Sequence, residues 1–158
     1  MKEVDFQSSL MRGLKSQGCF VYKIPDLARA VVKPFDICMA HMGNFYPIEC
    51  KLTKYGRKKP LHAGDVAINP GNFHCRGHQL PRLLEIYERE QGDPFLAVCV
   101  VRIEMGSAVE SRAWMLPVCC MKAQETWTIG ELDEEECQLT WVPTVGWTAP
   151  WLKAERQR

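Results

Sequence analysis

Residues 94–103 (PFLAVCVVRI) constrain the fold of this chain more than any other stretch. A run so uniformly apolar and rich in β-branched types does not fit a half-exposed strand, which would alternate apolar and polar residues. It predicts an interior strand buried on both faces. Such a strand requires a sheet with other elements packed above and below it.

The remaining sequence supplies those elements. Phe6, Leu10 and Leu14 recur at four-residue steps and predict an amphipathic helix over 3–17, closed by Gly18. Residues 19–24 (CFVYKI) read as a strand that stops at Pro25-Asp26, with 26–33 a loop. Phe35–Ala40 and Phe45–Leu52 read as two more strands, joined as a hairpin across Gly43-Asn44. From Thr53 to Cys75 the sequence is loop-like and longer than a passive connection needs, which predicts a functional segment. Leu80, Leu83, Leu84 and Tyr87 predict a helix over 77–90, with Pro81 tolerated in its first turn. Residues 111–116 read as a last strand. The order is α-β-β-β-α-β, with one strand more at the end: an α/β fold with a central sheet flanked by helices. The expected division is a core over 1–118 and a C-terminal extension over 119–158. The extension carries Trp141, Trp147 and Trp151 among prolines and an acidic run at 131–136. It is expected to pack on the core or on a dimer partner.

Composition excludes some classes. No apolar run approaches the roughly 18 residues that span a bilayer, so no membrane role is expected. The N-terminus lacks the features of a secretory leader, and a cytoplasmic location is expected. The eight cysteines form no CxxC pair, and several sit in strand-like apolar runs, which predicts free thiols rather than disulfides or zinc ligands. His74, Cys75 and His78 lack the second spaced pair of a structural zinc site. The net charge is +1, but residues 1–60 carry eleven basic against five acidic side chains. The positive charge peaks at Lys51, Lys54, Arg57, Lys58 and Lys59, either a solvated basic loop or a phosphate-contacting one.

Within the predicted hairpin, Glu49 and Lys51 are two apart on one strand and leave the same face of the sheet. Asp36 begins the neighbouring strand, where pairing across the turn brings it near Glu49. Charges in an otherwise apolar element cost stability and call for a reason. Two adjacent carboxylates repel unless a cation lies between them, and hard oxygen donors select Mg²⁺ or Mn²⁺. The bland alternative is a Glu–Lys ion pair on an exposed hairpin face.

The stretch KPFDICMAHMGNFYPIECKL, with its Asp36, Glu49, Cys50 and Lys51, resembles the motif region of PD-(D/E)xK nucleases, which have a restriction endonuclease-like core. The arrangement around it resembles Holliday-junction resolvases of archaea, phages and Gram-positive bacteria. These have an acid in the first helix, a basic residue ending the next strand, and His-Gln opening a later helix. The corresponding residues are Glu3, Lys23 and His78-Gln79, with Asp5 and Gln7 as other occupants of the helix-1 position. The resemblance implies a Mg²⁺ ion, replaceable by Mn²⁺, held by Asp36, Glu49 and the Cys50 carbonyl. Lys51 would orient or deprotonate the attacking water. Glu3 would complete the site through a water or a second metal. Gln79 would hydrogen-bond Lys51 or that water, or simply open its helix as a polar residue. Lys23, Lys54, Arg57, Lys58 and Lys59 would contact DNA. His41, His62 and His74 read as loop or surface residues. The implied function is resolution of four-way DNA junctions by a symmetric homodimer, with no small-molecule cofactor. The alternatives are a restriction-like or repair endonuclease acting on duplex or flap DNA, and a non-catalytic nucleic-acid-binding module.

Overall fold

The computed structural model describes residues 1–25, 35–69, 79–123 and 126–152, with the backbone alone at 79, 122 and 123. A five-stranded mixed sheet runs in the order β1-β2-β3-β5-β6. Its strands are β1 (Phe20–Lys23), β2 (Ile37–His41), β3 (Asn44–Gly56), β5 (Phe95–Glu104) and β6 (Ser107–Pro117). The β3–β5 pair is parallel and the β1–β2, β2–β3 and β5–β6 pairs are antiparallel. As the apolar run predicts, β5 lies inside the sheet. Ala97, Cys99 and Val101 face one hydrophobic cluster, and Leu96, Val98 and Val100 face the other.

On the first face lies α1 (Glu3–Ser16), whose Phe6, Leu10 and Leu14 are fully buried. Gly18 follows it in the left-handed region at φ 85°, the usual device for ending a helix. On the second face lie α2 (Gln79–Glu88) and α3 (Ile129–Glu134). They are joined there by the ribbon of β4 (Val66–Ile68) and β7 (Trp127–Thr128). Among the described residues no helix is long and apolar enough to cross a membrane.

Several sequence expectations need correction. The hairpin turn is Met42-Gly43, not Gly43-Asn44: both residues have positive φ (49° and 79°), and His41 pairs with Asn44. This is the two-residue geometry that matches strand twist. β3 does not stop at Leu52 but continues through Gly56, because Leu52, Thr53 and Tyr55 keep pairing with β5. The supposed loop from 53 therefore begins as strand and also contains β4. Residues 26–33 and the end of that loop, from 70 to 75, lie outside the described residues.

β6 is longer than expected and is not the last strand. After it come the 3₁₀ turn 118–123, β7, α3, and the hairpin of β8 (Thr140–Val142) and β9 (Gly146–Thr148). Trp127, Ile129 and Leu132 join the cluster under α2, while Leu139, Trp147 and Ala149 join the one under α1. β9 meets α1 backbone to backbone. A Cβ on Gly13 would lie 1.7 Å from the Trp147 carbonyl oxygen, and one on Gly146 would lie 2.1 Å from that of Ser9. The acidic run forms part of α3 and its end, where Asp133 accepts hydrogen bonds from Arg112 and from the Trp114 indole.

Candidate active site

Hairpin register decides which side chains meet. Ile37 pairs with Ile48, so the next step along the ladder sets Asp36 opposite Glu49. The one-residue correction to the turn matters here, because a shift in register changes every opposed pair. At this point β2 has ended. The Asp36 N–H still donates to the Ile48 carbonyl at 3.1 Å, and the Asp36 carbonyl accepts from Ile24 at 2.9 Å. Its carboxylate turns onto β3, where Oδ2 accepts the Cys50 N–H at 2.9 Å. A strand residue sends its N–H and C=O to the same edge, so the Cys50 carbonyl faces the same gap.

Glu49 is 2% exposed and Asp36 7%, so both carboxylates are almost wholly withdrawn from water. The Lys51 Nζ stands 3.4 Å from Glu49 Oε1 and keeps some contact with solvent. Burial first, then the nearby Asp36 charge, push the Glu49 carboxyl up to about 8. A side-chain hydrogen bond to Asp36 adds to the rise, and Lys51 opposes it. At neutral pH and without a cation, the carboxylate pair therefore retains a proton.

Glu3 opens α1 and is half-buried on the other side of the sheet. Its charge is felt at the Cys50 thiol, which packs under α1. The fully buried Cys50 thiol is held well above its usual range by burial first, then by the charges of Asp36, Glu49 and Glu3. Of the other helix-1 positions, Asp5 is spent on the helix start, where its carboxylate accepts the Lys2 N–H at 2.6 Å. Gln7 is buried one turn beyond Glu3.

Two adjacent buried carboxyl groups, beside a backbone carbonyl, suit a hard divalent cation. Among the described residues no group of three or more His, Cys, Asp or Glu side chains gathers to hold a metal. Among the described residues the side chains placed to contribute are Asp36 and Glu49. That fits Mg²⁺, which usually takes one or two carboxylates and keeps several waters or phosphate oxygens.

The basic residues separate into different roles. Lys23 is exposed at the end of β1 and pairs in register with Ile37, next to Asp36. Lys54 is exposed near the end of β3. Arg57 is not a free cation: its guanidinium is bound to the buried Asp65, donates to the Pro60 carbonyl at 3.0 Å, and lies over the Tyr55 ring. That contact comes first among the causes that hold Asp65 below the usual carboxylate range. Lys58 and Lys59 remain exposed on the loop that Arg57 shapes.

Sequence reasoning missed the braces of that loop. Arg102 donates to the Lys58 carbonyl at 3.2 Å and to Glu110 at 3.1 Å, and Glu110 in turn accepts the Leu61 N–H at 3.0 Å. The available signal was a cation placed at the end of the apolar run 94–103. His41 also needs correction: it is a buried strand residue whose Nδ1 lies 3.6 Å from the Cys19 thiol, not a surface residue. His62 is exposed, with its Nε2 3.1 Å from an Asp65 oxygen. Gln79 begins α2, and its side chain, like His74, Cys75 and His78, lies outside the described residues.

No family model and no curated protein matches the chain. Solved structures do match. One is Hjc of the archaeal hyperthermophile Archaeoglobus fulgidus, a Holliday junction resolvase. It shows 13% identity and a TM-score of 0.50, and the match covers 83% of this chain and 92% of that one. The central mixed sheet flanked by helices, with its hairpin β2–β3 leading into a parallel β5, thus shares its fold with that resolvase.

Proposed function

We propose that the protein is a metal-dependent endodeoxyribonuclease that cuts branched DNA, with Asp36, Glu49 and Lys51 as its catalytic residues. The observation that carries this reading is the buried Asp36–Glu49 carboxylate pair with Lys51 alongside, 3.4 Å from Glu49. On this reading Asp36, Glu49 and the Cys50 carbonyl hold Mg²⁺ or Mn²⁺. When bound, the ion neutralises the scissile phosphate and lowers the pKa of a coordinated water.

The chain's own residues do the rest. The Cys50 N–H holds one Asp36 oxygen in place on β3, beside Glu49. Burial of Glu49 keeps bulk water from competing for the ion. Lys51, on the same strand face as Glu49, is placed to orient or deprotonate the attacking water, or to contact the phosphate. Glu3 adds negative charge from the α1 side, suited to a water-mediated contact. Lys23, Lys54, Lys58 and Lys59 hold flanking phosphates, each adding about one unit to the salt slope of binding.

Four-way junctions as the preferred substrate, and a two-fold dimer that cuts both strands, extend this reading from the likeness to Hjc. Incubation with Mg²⁺ and sequence-matched four-way junction, flap and linear duplex tests it. The reading predicts paired, symmetric cuts in the junction at the highest rate. Faster cutting of linear duplex would replace the junction assignment with a restriction-like or repair role.

A further inference from the structure

The carbonyls of residues 57–60, in the basic loop after β3, all face inward onto two guanidinium groups. Arg102 Nη1 donates to the Arg57 carbonyl at 3.4 Å and to that of Lys58 at 3.2 Å. Arg57 donates to the Lys59 carbonyl at 3.2 Å and to that of Pro60 at 3.0 Å. We infer that the outward-facing N–H groups of Lys58 and Lys59, with the two ammonium groups beside them, form a clip for one backbone phosphate of DNA. This rests on the nuclease reading and deepens it, adding main-chain donors to a contact assigned above to lysine side chains.

Peptide geometry carries the inference. In a planar trans peptide the N–H points opposite to the carbonyl of the preceding residue. Holding the Arg57 and Lys58 carbonyls inward therefore turns the Lys58 and Lys59 N–H groups toward solvent. No backbone carbonyl of the described residues accepts from either, and both residues are exposed. Guanidinium bonds to the carbonyls also polarise these peptides and strengthen their N–H groups as donors. The loop holds this shape before any ligand arrives. Leu61 is buried in the cluster under α2 and its N–H donates to Glu110 at 3.0 Å. The Ala63 and Asp65 carbonyls accept from Gly130 and Ile129 of α3, each at 2.9 Å. A ligand therefore meets a site whose ordering cost is already met by the fold.

Donor chemistry identifies the occupant. The clip offers N–H groups and positive charge, because the neighbouring carbonyls are taken. Arg57 and Arg102 are themselves committed inward: Asp65 binds the first, and Glu104 and Glu110 bind the second. What remains complements an anion with several acceptor oxygens, and backbone N–H groups are regular phosphate donors at DNA interfaces. Placement ties the clip to the nuclease centre. Glu49, Lys51 and Tyr55 alternate onto one face of β3, and Arg102, the partner of Tyr55 in β5, braces the loop on that same face. Lys51 and Gly56 lie five residues apart on one strand, roughly 17 Å at the usual rise. The phosphate in the clip thus flanks the one that is cut.

The test follows the backbone amide signals of the full chain by heteronuclear NMR, without divalent cations, during titration with oligothymidylate. The Lys58 and Lys59 amide protons are expected to move downfield, and to stay in place with an uncharged methylphosphonate oligomer. Lys58→Gln with Lys59→Gln is expected to show the same shifts at roughly tenfold higher oligonucleotide concentration, because the main-chain donors remain. Arg102→Lys keeps the charge but lacks the planar fork that spans carbonyls and carboxylates together. It is expected to abolish the shifts and weaken binding roughly tenfold with both lysines intact. The wild-type titration decides the question even where Arg102→Lys does not fold. Amide protons that stay fixed while oligothymidylate binds overturn the clip, and leave the nuclease reading intact if the wild type cuts in Mg²⁺. Shifts with inorganic phosphate or oligoglutamate, and none with oligothymidylate, overturn the DNA assignment. A wild-type chain that neither binds nor cuts DNA overturns the clip and the nuclease reading together.

Discussion

Replacing Glu49 by glutamine should stabilise the metal-free protein, and increasingly so as pH rises. The fold pushes the wild-type carboxyl up to about 8, against about 4.5 for a free glutamate, so the native state binds a proton that the unfolded chain releases. The stability contributed by that bound proton is fully present below about pH 4.5 and is lost as pH rises through about 8. The difference corresponds to about 5 kcal/mol when complete, of which roughly 4 kcal/mol is lost between about pH 5 and pH 9. Glutamine keeps the shape and hydrogen-bonding capacity of the protonated acid but cannot ionise. Urea unfolding in EDTA across this range should therefore show the mutant-minus-wild-type stability climbing by a few kcal/mol toward alkaline pH. Subtracting the two proteins removes the opposite contributions of carboxyls such as Asp65 and Glu110, which the fold holds below their usual range. A difference that stays flat with pH, or that turns against the mutant at pH 9, would refute the account of Glu49 as a buried, proton-holding partner of Asp36.

Metal binding at the same pair must displace that proton, so Mg²⁺ affinity measured by calorimetry should rise about tenfold per pH unit below pH 8 and level off above it. Gly13→Ala places a methyl group 1.7 Å from the Trp147 carbonyl oxygen, where neither backbone can yield. It should cost about 3 kcal/mol or more, read as a lower melting temperature. Lys58→Ala combined with Lys59→Ala should reduce the salt slope of duplex binding by up to about two units and leave the cut position unchanged. Asp65→Asn should disturb the same loop indirectly by releasing Arg57, and faster amide hydrogen exchange over 57–65 would report it.

The sheet and the candidate site were legible for the same reason: periodicity exposes departures from it. The run 94–103 could only be an interior strand. Glu49 and Lys51 were visible because they interrupt the apolar pattern of a neighbouring strand, and the Asp36 partnership followed from pairing the two. The turn was misplaced by one residue because Met42 takes a left-handed backbone that composition assigns to Gly or Asn. The extension of β3 to Gly56 was hidden by lysines and glycine, whereas register with β5, a long-range property, holds those residues in the strand. Arg57 looked like one more cation in a basic cluster, and only folding brings it to Asp65. The tail escaped because its strands are two or three residues long, too short for any period to show. Its order comes from tertiary contacts such as the seating of Gly146 against α1.

The measurement that bears most directly on the central claim is the Mg²⁺-dependent cleavage rate of a four-way DNA junction by the wild type and by Asp36→Asn. Asparagine retains an acceptor for the Cys50 N–H but removes the charge that would hold the ion. Metal-dependent cutting by the wild type and its loss, by a factor on the order of 10³ or more, in a folded Asp36→Asn protein is the predicted result. Undiminished metal-dependent cutting by Asp36→Asn, or none by the wild type with Mg²⁺ or Mn²⁺, would contradict the assignment of Asp36, Glu49 and Lys51 as a nuclease centre.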